Sequence, residues 1–251
     1  MISYEYPLNE RIRILMRLEG LFAKHAHFVA LDQAPDHHAA LLALFEVLEV
    51  ARGDLKSDLI QELERQRIAL ESLRHNPEVK SDALEEVLKK IISTVAQLQS
   101  LSGKTGQHLR DNEWVMGIKQ RACIPGGVSE FDLPSFHYWL SLDPAARREN
   151  LREWMAPFQP LSSAISIILK ILRDSGESTH RVATKGAYQQ MNSGRAAQML
   201  RVVLEGGLPC FPEISANKYA INIRFNALGS GIERPKTCET SVEFDLTLCC
   251  L

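Results

Sequence analysis

Cysteine is scarce in this sequence, and the cysteines that occur do not form a recognisable framework. The chain of 251 residues contains five of them, at Cys123, Cys210, Cys238, Cys249 and Cys250. An odd number with two adjacent members is a poor basis for disulfides, and no CxxC pair or Cys/His cluster has zinc-site spacing. The sequence therefore predicts a reduced, cytosolic protein that holds no metal ion.

Long apolar runs and an excess of one charge are also missing. The formal net charge is −2, which gives no overall attraction to nucleic acid or to an anionic membrane. The longest apolar stretch, around Ala164–Leu172, is interrupted by Ser166 and Lys170 and is shorter than the roughly 20 residues that span a bilayer. The opening residues MISYEYPLNERIR lack the apolar centre of a signal peptide. We therefore expect no membrane and no nucleic acid partner.

Helical periodicity dominates the first two thirds of the chain. Apolar residues recur every three or four positions in the first segment, at Leu8, Ile12, Leu15, Leu18 and Phe22. This spacing is typical of a helix with one buried face, and Asn9 suits its N-cap. Similar patterns predict helices at about 35–51, 54–74, 81–102, 106–122, 135–142, 144–156 and 160–173. We predict an α-helical domain over residues 1–176.

The pattern changes after Gly176, where apolar and other residues alternate. A period of two predicts half-buried strands. The alternating groups are Leu200, Val202, Leu204, then Tyr219, Ile221, Ile223, Phe225, and then Val242, Phe244, Leu246, Leu248. Strands that follow one another without an intervening helix favour an antiparallel arrangement. We therefore predict a small antiparallel β domain over residues 177–251, and an α+β fold for the chain.

A distinctive string, IPGGVSEFDLPSFHYWL, occupies positions 124–140. Pro125, Gly126 and Gly127 predict a turn, because proline fixes its φ and glycine tolerates positive φ. Pro134 suits the first turn of a short aromatic helix. His137 in that helix has two interpretations. It is either a polar contact beside a groove or a hydrogen-bonded core histidine that holds the turn.

The first helix carries a stripe of basic residues. Arg13, Arg17 and Lys24 fall within roughly 40° of one another around the axis, at about 100° per residue. Like charges in one stripe repel each other. An anionic partner is therefore one interpretation of the stripe, and an ordinary solvated face is the other.

The helix predicted at 106–122 repeats this theme. Arg110 and Arg121 are about three turns apart on it, with Trp114 between them. Ion pairing and cation–π contact on such a stripe would hold an acidic, partly apolar peptide. The other interpretation is that Trp114 is a core residue which the two arginines flank.

Catalytic and metal-binding arrangements are not supported by spacing. Asp132, Ser135 and His137 are the residue types of a hydrolase, but helical positions two apart do not face each other and no nucleophile elbow is present. The histidine pairs lack the i,i+4 spacing of helical metal ligands; they are His25 with His27 and His37 with His38. We therefore predict a protein that is not an enzyme and needs no cofactor.

The string at 124–140 resembles the hallmark of ZapD, a family of bacterial proteins associated with the cell-division ring. The segments YEYPLNERIRILMRLE, LFEVLEVARGDLKSDLIQELERQR and EFDLTLCC are similar to the opening, the second-to-third helix region and the ending of that family. The resemblance covers essentially the whole chain, in order. It implies a cytoplasmic homodimer at the midcell division ring, which binds the C-terminal tail of FtsZ and cross-links FtsZ filaments into bundles. It implies no catalysis and no cofactor.

The same resemblance implies that the tail binds a basic surface of the helical domain. Carried over by matching position, it suggests Arg17, Arg52, Arg110 and His137, with Arg224 on a strand as a weaker candidate. With the two charge stripes, the predicted partner-binding residues are Arg13, Arg17, Arg52, Arg110, Arg121, His137 and Arg224. Glu113 departs from the pattern, since a basic residue would suit that edge. The alternative function is a helical adaptor that binds another protein or RNA through its basic helix faces.

Overall fold

The computed structural model describes residues 1–77, 79–191, 197–217, 219–228 and 234–250. In this part the helices are α1 (Glu10–Ala30), α2 (Ala34–Val50), α3 (Leu55–Glu71), α4 (Ser81–Ser100), α5 (Gln107–Arg110), α6 (Glu113–Ala122), α7 (Pro134–Leu140), α8 (Pro144–Met155) and α9 (Gln159–Asp174). The strands are β1 (Ile2–Pro7), β2 (Glu177–Ala183), β3 (Ala187–Met191), β4 (Met199–Leu204), β5 (Cys210–Ala216), β6 (Ala220–Ala227), β7 (Lys236–Thr237) and β8 (Val242–Cys249). The helices precede every described strand except β1, and the predicted α+β class is confirmed.

The helical periodicity is confirmed with one exception. Asn9 caps α1 as predicted, since its Oδ1 accepts a hydrogen bond from the backbone N of Ile12 at 2.8 Å. The helix predicted at 106–122 is instead divided into α5 and α6. Asn112 explains the division, because its side chain accepts from the backbone N of Val115 at 3.0 Å and so caps the start of α6.

Two antiparallel sheets contain the described strands. One has the order β1-β4-β8-β2, and the other has the order β3-β6-β5, with β7 also paired with β6. The predicted strands correspond to β4, β6 and β8, and the predicted antiparallel pairing is confirmed. Both sheets contribute buried side chains to one core cluster, among them Val202, Phe225 and Phe244.

Strand β1 departs from the sequence prediction, which placed the opening residues in the helical part. It pairs with β4 from Ile2 opposite Leu204 to Pro7 opposite Met199. Tyr4 and Tyr6 pack against the core cluster of the sheets. This pairing joins segments that are far apart along the chain, and local periodicity contains no information about such a partner.

Contacts divide the chain into two compact units. We call Ile14–Ile168 the helical unit, and Met1–Arg13 with Leu169–Leu251 the strand unit. These units are defined by contacts between residues, whereas the predicted domains 1–176 and 177–251 are defined by a change of sequence pattern. The predicted domain division stays a prediction.

Arg147 is buried in the helical unit and joins three of its segments. Its Nε donates to Nδ1 of His37 at 2.8 Å, and its Nη2 donates to the carbonyl O of Asp32 at 2.7 Å. Its Nη1 donates to the carbonyl O of Leu142 at 2.7 Å and to that of Leu140. One guanidinium on α8 therefore fixes the loop before α2 and the end of α7.

Three tryptophans form an aromatic cluster in the helical unit. The ring centroid of Trp114 lies 6.2 Å from that of Trp139 and 5.8 Å from that of Trp154. Trp139 and Trp154 are also 5.8 Å apart, and Phe136 stacks on Trp139 at 5.7 Å. This cluster anchors α7, the short helix of the 124–140 string, onto α6 and α8.

The helical run Pro144–Asp174 is long and apolar enough, by length and composition, to cross a membrane. The run is this long because α8 and α9 continue into each other through the short 3₁₀ helix Ala156–Phe158. It therefore includes the charged residues of α8 as well as the shorter apolar stretch around Ala164–Leu172. Core helices meet the same criterion, and many apolar residues of the run are buried, among them Leu151, Phe158 and Ile165. The expected absence of a membrane partner stays a prediction.

Candidate functional site

Of the predicted arginines of α1, Arg13 and Arg17, Arg17 has the guanidinium that is more accessible to a partner. It lies in the helical unit and is exposed. Within the described part of the chain its side chain has no hydrogen bond or ion pair, whereas Lys24 of the predicted stripe is paired with Glu46 at 3.0 Å. An exposed guanidinium without an intramolecular partner can bind a carboxylate through two parallel hydrogen bonds.

Arg13 and Arg224 belong to the strand unit. Arg13 is paired with Glu10 at 3.3 Å, and its Cζ lies 5.5 Å from the centroid of the Tyr6 ring. Arg224 is exposed on β6, in register with Ala187 of β3 and Glu213 of β5. Neither arginine lies in the helical unit, where the resemblance predicts the tail-binding surface.

Arg52 and Arg110 are brought together in a cleft of the helical unit, which we call the basic cleft. It has a volume of about 670 Å³. Its described lining includes the cations Arg52, Lys56, Lys104 and Arg110, and one carboxylate, Asp54. Two loops form it: the one that follows α2 and the one that follows α4.

The cationic side chains of the basic cleft differ in their hydrogen-bond partners and in their exposure. Arg110 donates to the carbonyl O of Thr105 at 2.6 Å and to that of Leu48, in the last turn of α2, at 3.2 Å. Lys56 donates to the carbonyl O of Leu101, just after α4, at 2.7 Å. Both therefore satisfy carbonyl groups at helix ends, where a positive charge is favourable. Arg52 and Lys104 are exposed at the rim, and Arg52 is paired with Glu49.

The predicted Arg–Trp–Arg stripe is wrong. Arg110 and Arg121 lie on separate helices, because α5 ends at Arg110 and α6 starts at Glu113. Trp114 is half-buried, belongs to the aromatic cluster, and donates through Nε1 to Oγ of Ser135 at 3.0 Å. Trp114 therefore packs against other aromatic rings, as the alternative interpretation expected, but it is half-buried and not a core residue. Arg121 is exposed in the last turn of α6.

His137 is a surface residue, and the interpretation as a core histidine is wrong. Its side chain is 60% exposed, and its Nε2 lies 3.7 Å from Oε2 of Glu130. The turn it was expected to hold is closed by backbone bonds instead, such as Gly127 N to the carbonyl O of Ile124 at 2.9 Å. The buried members of α7 are Phe136 and Trp139. His137 is therefore accessible to a partner.

The side chains of the rejected hydrolase arrangement have other hydrogen-bond partners in the described part of the chain. Ser135 Oγ accepts from Trp114, and Asp132 Oδ2 accepts from Ser129 Oγ at 2.8 Å. In the described residues, no group of three or more His, Cys, Asp or Glu side chains is placed to hold a metal ion.

Comparison with known proteins decides the family. The family model described as "ZapD: Cell division protein" matches residues 16–224. The chain belongs to the ZapD family. It is 53% identical over 250 residues to the Cell division protein ZapD of Chromobacterium violaceum, covering 99% of each chain. It is 54% identical to that of Aromatoleum aromaticum, covering 100% of this chain and 98% of the relative, and 53% identical to that of Azoarcus sp., covering 100% of both.

The ZapD relationship confirms the family that the 124–140 string and the three other segments indicated. The relatives are named for cell division and not for an enzymatic activity, which supports the non-enzymatic interpretation indirectly. The sequence reasoning missed Lys56 and Lys104 of the basic cleft. No spacing rule would have found them, because they join Arg52 and Arg110 only when two separate helix ends meet.

Proposed function

We propose that this ZapD-family chain binds the C-terminal tail of FtsZ through exposed cations of its helical unit and, as a cytoplasmic homodimer at midcell, cross-links FtsZ filaments. The observation that carries the proposal is the set of accessible basic groups on that unit. Arg17 is uncommitted, His137 is exposed, and the basic cleft has four cations beside one carboxylate. Basic groups of this kind suit a peptide that carries carboxylates.

Two identical sites in a dimer explain how weak binding would bundle filaments. Engagement of the first site makes the second engagement effectively intramolecular, so that the combined affinity exceeds that of either site. Filaments that present many tails increase this effect further. Because the contact is between charges on the surface, it should weaken as salt is added, with a screening length of about 8 Å at physiological ionic strength.

Arg17→Glu tests the tail site. The exchange should weaken binding of a labelled FtsZ tail peptide by roughly tenfold or more, about 1.4 kcal/mol, because attraction becomes repulsion. Fluorescence anisotropy measures the affinity, and circular dichroism shows that the variant is folded. Arg110→Glu is less suitable, since Arg110 also holds carbonyl groups of Thr105 and Leu48.

The matched control is Lys89→Glu, which makes the same charge change at an exposed position of α4. It should leave the tail affinity within about twofold of the parent, since Lys89 is not a predicted binding residue and does not line the basic cleft. Equal weakening by both variants would indicate a nonspecific charge effect. An unchanged affinity in a folded Arg17→Glu variant would overturn the assignment of Arg17. A pull-down in which tail-truncated FtsZ is still retained would favour the rival adaptor function.

A further inference from the structure

A second cleft of the helical unit contains a buried histidine, His25, whose side chain has an unpaired nitrogen. We call it the His25 cleft. It has a volume of about 560 Å³ and is lined by residues of α1, α8 and α9. This volume is within the roughly 300–1,000 Å³ that is usual for small-molecule sites. None of the residues predicted to bind the FtsZ tail is in its described lining, so the proposed function does not use this cleft.

Most of the lining of the His25 cleft is apolar. The apolar members lie on one face of α1 and on the facing end of α8: Phe22, Ala26, Val29, Ala30, Met155 and Ala156. Val29 and Met155 are buried, whereas Ala26 is exposed and has a side chain too small to fill the space. A hydrocarbon chain in this cleft would remove its own apolar surface and that of the lining from water, which is favourable.

The formal charge of the His25 cleft is positive. Arg152 is among its described lining residues, and none of them is Asp or Glu. The Arg152 side chain is 65% exposed, and its Nη1 lies 4.0 Å from Oε2 of Glu149, at the outer limit of an ion pair. A guanidinium held this loosely can bind a carboxylate from solution.

His25 adds a buried polar atom to the same cleft. Its side chain is 4% exposed, and its Nε2 has no hydrogen-bond partner among the described residues. Burial lowers the pKa of His25 to about 4, so the imidazole is neutral at pH 7. A buried polar atom without a partner is costly. Because the χ2 torsion of histidine is soft, the ring can turn to donate from Nε2 to a ligand oxygen in the cleft.

We propose that the His25 cleft binds a small monocarboxylate with an apolar body, of the class of medium-chain alkanoates. The hydrocarbon chain lies against the apolar side chains of α1 and α8. The carboxylate accepts hydrogen bonds from Arg152 and from Nε2 of His25. The cleft therefore selects a ligand that has both features, since acetate lacks the chain and an alcohol lacks the charge.

Isothermal titration calorimetry with octanoate, kept below its micelle concentration, tests the ligand class. Octanoate should bind with one molecule per chain. Its affinity should rise roughly two- to fourfold for each methylene added from hexanoate to octanoate, and it should exceed that of 1-octanol at least tenfold. No binding of octanoate, or equal binding of octanoate and 1-octanol, would overturn the proposal.

Ala26→Phe tests the place of binding, because the larger side chain fills the His25 cleft. It should weaken octanoate binding at least tenfold. The matched control is Ala23→Phe, the same change at an exposed position of α1 that does not line the cleft, and it should leave the affinity unchanged. Circular dichroism shows that both variants are folded. Equal weakening by the two variants would indicate nonspecific adsorption and overturn the assignment.

The two polar contacts are tested separately. Arg152→Gln should weaken octanoate binding roughly tenfold and leave the binding of 1-octanol unchanged. For His25, nuclear magnetic resonance of the protein labelled with ¹⁵N-histidine reports on the imidazole directly. Saturation with octanoate should shift the Nε2 resonance of His25, and that of His27, which is exposed on the same helix, should not move. A stationary His25 resonance at saturation would overturn its contact with the ligand.

The outcomes separate this inference from the proposed function, on which it does not rest. Saturating octanoate should leave the affinity for the FtsZ tail peptide unchanged, and Arg17→Glu should leave the octanoate affinity unchanged, because Arg17 does not line the His25 cleft. Displacement of the tail peptide by octanoate would place the peptide in this cleft and overturn the small-molecule assignment. Loss of tail binding in Arg17→Glu without any octanoate binding by the parent would overturn this inference alone.

Discussion

Arg147→Met should lower the free energy of unfolding by roughly 1–3 kcal/mol. The substitution removes the guanidinium that donates to His37, Leu142 and Asp32 in the interior of the helical unit. A buried acceptor left without a donor costs roughly 1–3 kcal/mol; Nδ1 of His37 is such an acceptor, whereas the carbonyl groups of Asp32 and Leu142 are only partly buried. Methionine fills the volume without replacing the hydrogen bonds. Urea denaturation followed by far-ultraviolet circular dichroism measures the loss.

Arg148→Met is the matched control. Arg148 is the next residue of α8, and its Nη1 is paired with Oδ1 of Asp32 at 2.8 Å, on a carboxylate that is 65% exposed. A pair of this kind contributes about 0–1 kcal/mol, so the control should be far milder. Similar losses of unfolding free energy in the two variants would show that the hydrogen bonds of Arg147 contribute little to stability. The loss of one positive charge would then explain both effects.

Acidification should destabilise the protein through His25, a buried residue of α1. Its side chain is 4% exposed, and its Nε2 has no hydrogen-bond partner among the described residues. Burial lowers the pKa of His25 from 6.5 to about 4. It borders a cleft that also contains Phe22, Val29 and Arg152. The folded state therefore keeps this imidazole neutral at a pH at which the unfolded chain protonates it.

The sign of the pH dependence follows from this difference. Above about pH 6.5 neither state binds the proton. As the pH falls from there towards 4, the unfolded state gains it first, and the stability present at neutral pH is progressively lost. At about pH 4.5 the loss from this one residue is about 2–3 kcal/mol. His25→Leu should therefore gain that amount relative to the parent between about pH 7.5 and pH 4.5.

Urea denaturation at the two pH values gives the comparison. His27→Leu is the control, since His27 is two positions along on the same helix but exposed. It should change the pH dependence little. If His25→Leu and the parent lose the same stability on acidification, His25 is not the responsible group. Other histidines whose pKa burial lowers, such as His37, would then be examined.

Local patterns predicted much of the fold. The long amphipathic helices, the Asn9 cap and the strands β4, β6 and β8 all follow from periodicities contained within a few residues. The family followed from the 124–140 string. By contrast, the strand β2 has no buried residue before Ala183, so it lacks the alternation that marks a half-buried strand. The division at Asn112 was missed because the prediction extended one helix across residues 110–113, which contain no apolar residue.

The candidate site was predictable only in part. The resemblance named Arg17, Arg52, Arg110 and His137, but spacing could not show which guanidiniums are committed within the fold. Arg110 has the charge of a binding residue, yet it holds carbonyl groups of Thr105 and Leu48. Arg147 is buried and makes more side-chain hydrogen bonds than Arg110 does. No sequence pattern indicated it, because its partners come from three separated segments.

The aromatic cluster has a spectroscopic consequence. The three tryptophans of the sequence all lie in the helical unit, with ring centroids 5.8–6.2 Å apart. Tryptophans at this separation transfer excitation to one another. The intrinsic tryptophan fluorescence of the protein therefore combines contributions from α6, α7 and α8. Ser135, whose hydroxyl accepts a hydrogen bond from Trp114, and His137 both lie on α7, the helix that contains Trp139. A peptide that docks beside them should shift the emission.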